Sequence, residues 1–450
     1  MESSLQTNKT CELHVHIGGC THVQDMIRLG REIYQEVDWS PFQNAYEEAY
    51  AIRPDPVELF TDAVEGSAAA VDRLRQHYVY TPSDGPDFKR FSAKFQLLIC
   101  LARHLRNLGR GEEIITAALD HHRVEGVRYV EYRAMDTRGA SYDPQSFLDF
   151  HRRNANAIQH ASSDDFVARY IISLPRWEPL FAYELVQQLL AESPELIDTI
   201  VGLDFCHIEE GHPPKSAKPL FDRVIADNLR YPERKLGLVY HVGESFYDKS
   251  LESAVRWCHE AASMGAQRLG HCIALGLRPE IAVARQTQAH EGELISERID
   301  QINYDIVHAA GLRNYAVNVD KAALLAEKKL LLKSNPKSFV SRPYDSDRLR
   351  EVKGRQDYTM AVISQIGTVL EICPTSNLCL GGVPNSDSHP IHRFLESEVN
   401  LVISADDPGI FDSILTNEVD WVLDHSEMDE QKLAKRLGDP FRFRLGQARA

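Results

Sequence analysis

Paired cysteines are what this chain most plainly lacks. Its eight, Cys11, Cys20, Cys100, Cys206, Cys258, Cys272, Cys373 and Cys379, include no close CxxC pair. Such scatter over 450 residues excludes a dense disulfide framework and suits a reducing cytoplasm. Long apolar runs are missing too: LLICLA at 97–102 is far too short to span a bilayer. The opening MESSLQTNKT is polar and shows no signal peptide. Positive charge is scarce, with 50 Lys plus Arg against 66 Asp plus Glu and a formal net charge of −16. That balance argues against nucleic acid or an anionic membrane as main partner and leaves a small neutral ligand open. There is no internal repeat, no low-complexity tract and no GxGxxG loop after the first apolar segment.

What is present is alternation. Eight short β-rich runs recur at 12–16, 128–133, 168–174, 199–205, 236–241, 266–271, 368–374 and 400–407. Most are near-continuous apolar or β-branched segments, as parallel strands buried on both faces require. Helix-length patterns lie between them, such as 110–126 and 250–265, with Gly126 and Gly265 where helices should stop. The expected fold is therefore α/β, a (β/α)8 TIM-type barrel, rather than an open doubly wound sheet with a phosphate loop. Two connections are long and helical. Residues 17–127 follow strand one and include an amphipathic pattern at 91–109; residues 272–367 follow strand six and include a helical pattern at 318–334 and a loop-like stretch at 334–347. The organisation expected is one barrel domain over 1–450, with 17–127 as a helical lid and 272–367 as an extended helical insertion.

Polar residues at the strand ends carry the chemistry. Strand one ends in His14-Val15-His16, and residues i and i+2 of a strand project to one side. Strand five ends in His241, strand six in His271 and strand eight in Asp406-Asp407. In a parallel barrel these carboxyl ends open on the face where barrel active sites lie. Three imidazoles and a carboxylate suit zinc, so His14, His16, His241 and Asp406 are the expected ligands of one Zn2+. Strand four, GLDFCHIEE, offers no lysine near its end to bridge a second metal. Glu244, three residues after His241, is placed to shuttle protons without binding the metal. His121 and His122 read as solvent or core contacts, and His389 and His392 as a helix start.

ELHVHIGG, YVEYR, HVGE, RLGH, EICPTSN and SADDPGIF stand in the order found in adenosine deaminases, and the chain resembles that family from residue 12 to 411. The resemblance implies a barrel with one catalytic zinc that hydrolyses a 6-aminopurine to its 6-oxo product and ammonia, adenosine to inosine being the leading named reaction. It assigns the zinc ligands to His14, His16, His241 and Asp406. Glu244 matches the acid that protonates the ring nitrogen beside the attacked carbon. His271 matches the residue that orients and polarises the attacking water, Asp406 doubles as base, and Asp407 matches the contact to the far ring nitrogen. Phe91 and Phe95 resemble a hydrophobic lid, although core packing of an amphipathic helix explains them equally well. Glu209 matches an acidic residue that reads the purine.

Three departures fall on substrate recognition. Gly18-Gly19 stands where the family usually has Asp-Gly, which removes a sugar anchor. His207 stands where a glycine backbone usually approaches the purine, so its side chain is expected to intrude on the purine edge or make a new contact. The stretch between RLGH and EICP is longer by several dozen residues, enough to cap the pocket or form a contact between copies. The implied substrate is a small aminopurine or a related fused heterocycle, such as a free base, modified nucleoside or pterin. Two other readings stay open: hydrolysis of an amide, lactone or phosphoester on the same scaffold, and a non-catalytic ligand-binding homologue.

Overall fold

The computed structural model describes residues 4–246, 248–286 and 292–445. All eight expected strands form: β1 Cys11–His16, β2 Tyr129–Ala134, β3 Val167–Ser173, β4 Ile200–Asp204, β5 Gly237–Val242, β6 Arg268–His271, β7 Val369–Ile372 and β8 Asn400–Ile403. They pair in parallel in chain order. Continuous apolar runs become strands of this kind because helices cover the outside while side chains fill the inside. Every residue of β4, β5, β6 and β7 is buried.

The ring closes between its first and last strands. His16 N–H donates to the Asp406 carbonyl and Asp406 N–H to the His14 carbonyl, both at 2.9 Å. The eighth strand was expected to run to 407 but stops at Ile403. Asp406 takes φ +63, a left-handed conformation that ends regular extension while leaving its two closing hydrogen bonds in place.

Both long connections are helical. The one after β1 carries Val23–Gly30, Ser40–Tyr50, Pro56–Glu65, Ala68–Tyr78, Phe88–Asn107 and Glu112–Val124. Asp87 caps the fifth of these, accepting from the N–H groups of Lys89 and Arg90. The connection after β6 carries Ile295–Arg313, Lys321–Leu331 and Ser346–Ile366, with shorter helices before them and a two-strand ribbon, Glu293–Leu294 against Phe339–Val340. Buried ion pairs hold it to the barrel helix Leu251–Met264: Arg256 to Glu297 at 2.5 Å and Arg348 to Glu252 at 2.6 Å. Gly265 and Gly367 end their helices at φ +113 and +86, values an L side chain resists.

Candidate metal centre and active site

The carboxyl ends of β1, β5 and β6 and the segment after β8 deliver the expected residues to one spot. One donor atom from each of His14, His16, His241 and Asp406 lies within 4.8 Å of the others. Nε2 of His14 and Nε2 of His16 stand 3.5 and 3.3 Å from Asp406 Oδ1. The His14 and His241 rings meet edge to face at 4.5 Å between centroids. Gly270 makes that approach possible, because a Cβ there would lie 2.9 Å from His14 Cε1 and 3.4 Å from the His241 ring.

Two of the three imidazoles are aimed by buried carboxylates. His14 Nδ1 donates to Glu371 Oε2 and His241 Nδ1 to Asp204 Oδ1, both at 2.9 Å. This fixes the tautomer that leaves Nε2 unprotonated and facing inward. Both Nε2 atoms are buried and have no hydrogen-bond partner. Two orphaned imidazole nitrogens and a carboxylate turned to one point fit a divalent cation of the zinc class. Charge agrees. Burial works against a proton on His16, yet Asp406, Asp407 and Asp204 hold that imidazole up at about 9. Burial likewise works to raise Asp406, but the neighbouring imidazoles of His14, His16 and His271 keep it well below the usual carboxylate range.

A layer beneath the ligands went unread in the sequence. Arg133 Nη2 donates to Glu371 at 2.6 and 2.7 Å and to the Leu13 carbonyl at 3.0 Å. Arg268 Nε donates to Glu371 at 2.6 Å and its Nη2 to Glu131 at 2.5 Å. Burial tends to raise Glu371, but Arg133 and Arg268 hold it well below the carboxylate range. The only available signal was charge at inward strand positions, in YVEYR, RLG and LEI, where an ordinary barrel carries apolar residues.

Beside the ligands, Glu244 Oε1 is 3.7 Å from His271 Nε2, which in turn lies 3.9 Å from Asp406 Oδ2. His271 Nδ1 donates to Asn377 Oδ1 at 3.0 Å, another partner the motifs did not disclose. Burial raises the Glu244 carboxyl, and burial together with Asp406 pushes Asp407 up to about 8. Both groups therefore hold protons at higher pH than free carboxylic acids do. His271 sits at φ +63 and His207 at φ +70, so the mouth of the barrel stores backbone strain in non-glycine residues.

The recognition residues divide. Asp407 lies against the Gly19 backbone, and Phe95 packs over Gly18, where a Cβ would lie 3.3 Å from Phe95 Cζ. Phe91 stacks at 5.7 Å on Phe411, four residues beyond Asp407, and at 5.8 Å on Phe95, so it belongs to both core and lid. Glu209 is buried, and burial pushes its carboxyl up to about 7 against the pull of Lys249, 3.7 Å away. His207 keeps the left-handed backbone of a glycine and makes a new contact. Its exposed ring meets Phe88, on the helix that carries Phe91 and Phe95, edge to face at 6.1 Å. His122 is a core contact, hydrogen-bonded to Tyr132 at 2.8 Å, and His389 Nδ1 accepts from Ile391 N–H at the start of a helix.

Residues 350–438 match the family model described as adenosine deaminase. An adenine deaminase of Rhizobium leguminosarum bv. trifolii is 46% identical over 56 residues, 12% of this chain and 17% of that protein. An aminodeoxyfutalosine deaminase of Acidothermus cellulolyticus is 39% identical over 59 residues, 13% of this chain and 17% of that protein. The chain thus aligns with 17% of the length of these two curated relatives. Solved structures align over nearly the whole chain. An N6-mAMP deaminase of Arabidopsis has a TM-score of 0.53 at 14% identity, covering 98% of this chain and 95% of its own. An adenine deaminase from Arthrobacter aurescens has 0.50 at 14%, covering 96% and 98%. At such identity the likeness establishes the barrel fold.

Proposed function

With the adenosine deaminase resemblance standing over residues 350–438, we propose that this chain is a zinc-dependent hydrolase that releases ammonia from an aminopurine nucleoside or related fused aminoheterocycle. The observation that carries the reading is the convergence of His14, His16, His241 and Asp406, with Glu244 and His271 alongside. Those four side chains would hold the zinc ion, which would supply Lewis-acid activation of water. Glu244, whose carboxyl burial raises, donates a proton to the ring nitrogen next to the attacked carbon and makes that carbon electrophilic. His271, fixed by Asn377, orients the attacking water, and Asp406 accepts its proton. Asp407 donates to the far ring nitrogen. Gly18, Glu209, His207, Phe91 and Phe95 shape the substrate side. The whole is one barrel domain of the cytoplasm with 17–127 serving as lid; among the described residues no helix is long and apolar enough to cross a membrane.

Within that reading, Phe95 over Gly18 favours substrates held without a ribose anchor at this position, free bases before nucleosides. The test is release of ammonia from adenine, adenosine, AMP and aminopterins, and of methylamine from the N6-methyl purines, with simple esters and phosphoesters alongside and chelated protein as control. Turnover of an aminoheterocycle that is lost on chelation and restored by Zn2+ supports the reading. Turnover of esters or phosphoesters alone, or of nothing on the panel, overturns it.

A further inference from the structure

A second group of metal-ligating side chains, sharing no residue with the first, lies beside the turn after β1, where that turn packs on helix Glu112–Val124. One donor atom from each of His22, His121 and Glu125 lies within 4.8 Å of the other two, the same spacing the four candidate ligands of the active site share. The two imidazole rings face each other at 4.3 Å between centroids. We propose that His22, His121 and Glu125 bind a second, structural divalent cation of the zinc class.

Three features of the cluster carry this. First, Oε2 of Glu125 is buried and has no hydrogen-bond partner, a state that costs about 1–3 kcal/mol unless something compensates it. Second, His121 Nε2 is hydrogen-bonded to Asp25, which is itself held by Arg28 at 2.9 Å. A carboxylate on one imidazole nitrogen orients the ring and leaves the other nitrogen to bind a metal, as Glu371 and Asp204 do for His14 and His241. Third, the His22 ring makes no hydrogen bond among the described residues, so both its nitrogens are open to an ion. Two neutral imidazoles and one carboxylate, with a water completing four-coordination, are a donor set zinc accepts.

The position gives the ion a task. His22 and Asp25 stand at the start of the long connection after β1, and His121 and Glu125 stand at its end, about a hundred residues later. An ion there clips both ends of the connection together, and clips across long loops remove the most chain entropy from the unfolded state.

Metal counting on the whole protein tests it. The chain is stripped with dipicolinate, reloaded with excess Zn2+, freed of unbound metal and measured by mass spectrometry. The same stripped protein is titrated with Co2+ and followed by visible absorption. The His22→Gln/His121→Gln double variant is expected to hold one equivalent fewer than its parent, whatever the parent binds at the barrel mouth. In parallel, Zn2+ added to stripped protein raises the Tm of the parent further than that of the variant. With both sites loaded the parent's Co2+ absorption saturates after two equivalents, and a His14→Ala/His16→Ala variant, which lacks the barrel-mouth ligands, still binds one, so the proposal stays testable even if the first variant does not fold. A barrel-mouth variant that binds none, or equal zinc content in parent and folded His22→Gln/His121→Gln variant, overturns it.

Discussion

Replacing Gly19 by alanine would push Asp407 out of place without touching a metal ligand. A Cβ at position 19 would lie 1.6 Å from Asp407 Oδ1, 2.4 Å from its Cγ and 2.5 Å from its Cβ. Ordinary contact needs about 3.5 Å, so the carboxyl group must retreat by about 2 Å. The backbone of Gly19 is not left-handed, so the methyl group adds no conformational strain and the effect reads out on Asp407 alone. Losing a buried hydrogen bond to a reacting heterocycle and misplacing its donor costs about 2–3 kcal/mol of transition-state binding. That predicts a drop of about 30- to 150-fold in kcat/KM on the best substrate of the panel, with metal content unchanged. Asp407→Gly, which also removes the Cβ that the new methyl group would meet, and the double variant Gly19→Ala/Asp407→Gly complete a cycle. If the glycine acts through Asp407, the double variant is no worse than Asp407→Gly. A Gly19→Ala enzyme within threefold of the parent, or losses that multiply in the double variant, would refute the reasoning.

Four further outcomes are expected. Glu244→Gln loses about 100- to 10,000-fold in kcat while zinc content is retained; near-parental turnover would remove Glu244 from proton transfer. Glu371→Gln leaves Arg133 and Arg268 buried without their shared anion and destabilises the fold by about 3–5 kcal/mol in denaturant unfolding, a loss under 1 kcal/mol contradicting the network's role. Glu244 and Asp407 must both carry protons to donate, and burial raises both, Asp407 to about 8, so kcat/KM falls as pH climbs through that region. A profile still rising from pH 7 to 9.5 would be inconsistent with both assignments. Gly18→Asp alone meets Phe95, so a gain of adenosine over adenine turnover is expected only when Phe95→Ala accompanies it; assays of the single and double variants decide the point.

Much of this molecule was legible because its strands are fully buried. Segments such as TIVGLDF and LGLVYH announce themselves by unbroken apolar content, and the donors at their ends are polar residues standing where such runs stop. Boundaries were less clear. The helical pattern at 318–334 shortens to Lys321–Leu331 because Asp320 caps its start, accepting from the N–H groups of Ala322 and Ala323. The strand expected to reach 407 ends four residues early because Asp406 turns left-handed, a conformation no propensity assigns to an aspartate in an apolar run. Glu371, Asp204 and Asn377 escaped notice for a different reason. A carboxylate in a strand reads as solvent-facing until the arginine it pairs with is known, and Arg133 and Glu371 are separated by most of the chain. His207, at a family glycine's position, was expected to intrude on the purine edge or make a new contact; the glycine-like backbone shape persists and the side chain makes a new contact, with Phe88.

The hydrogen bonds joining Asp406 to His14 and His16 have a consequence for biosynthesis. Three imidazoles leave the ribosome well before the aspartate, the first two about 390 residues ahead of it. Until the segment around Asp406 docks, the nascent chain exposes an unclosed strand edge and an incomplete donor set at the same time. With a cation held there as proposed, its capture would coincide with ring completion, and loading would accompany the final folding step rather than precede it.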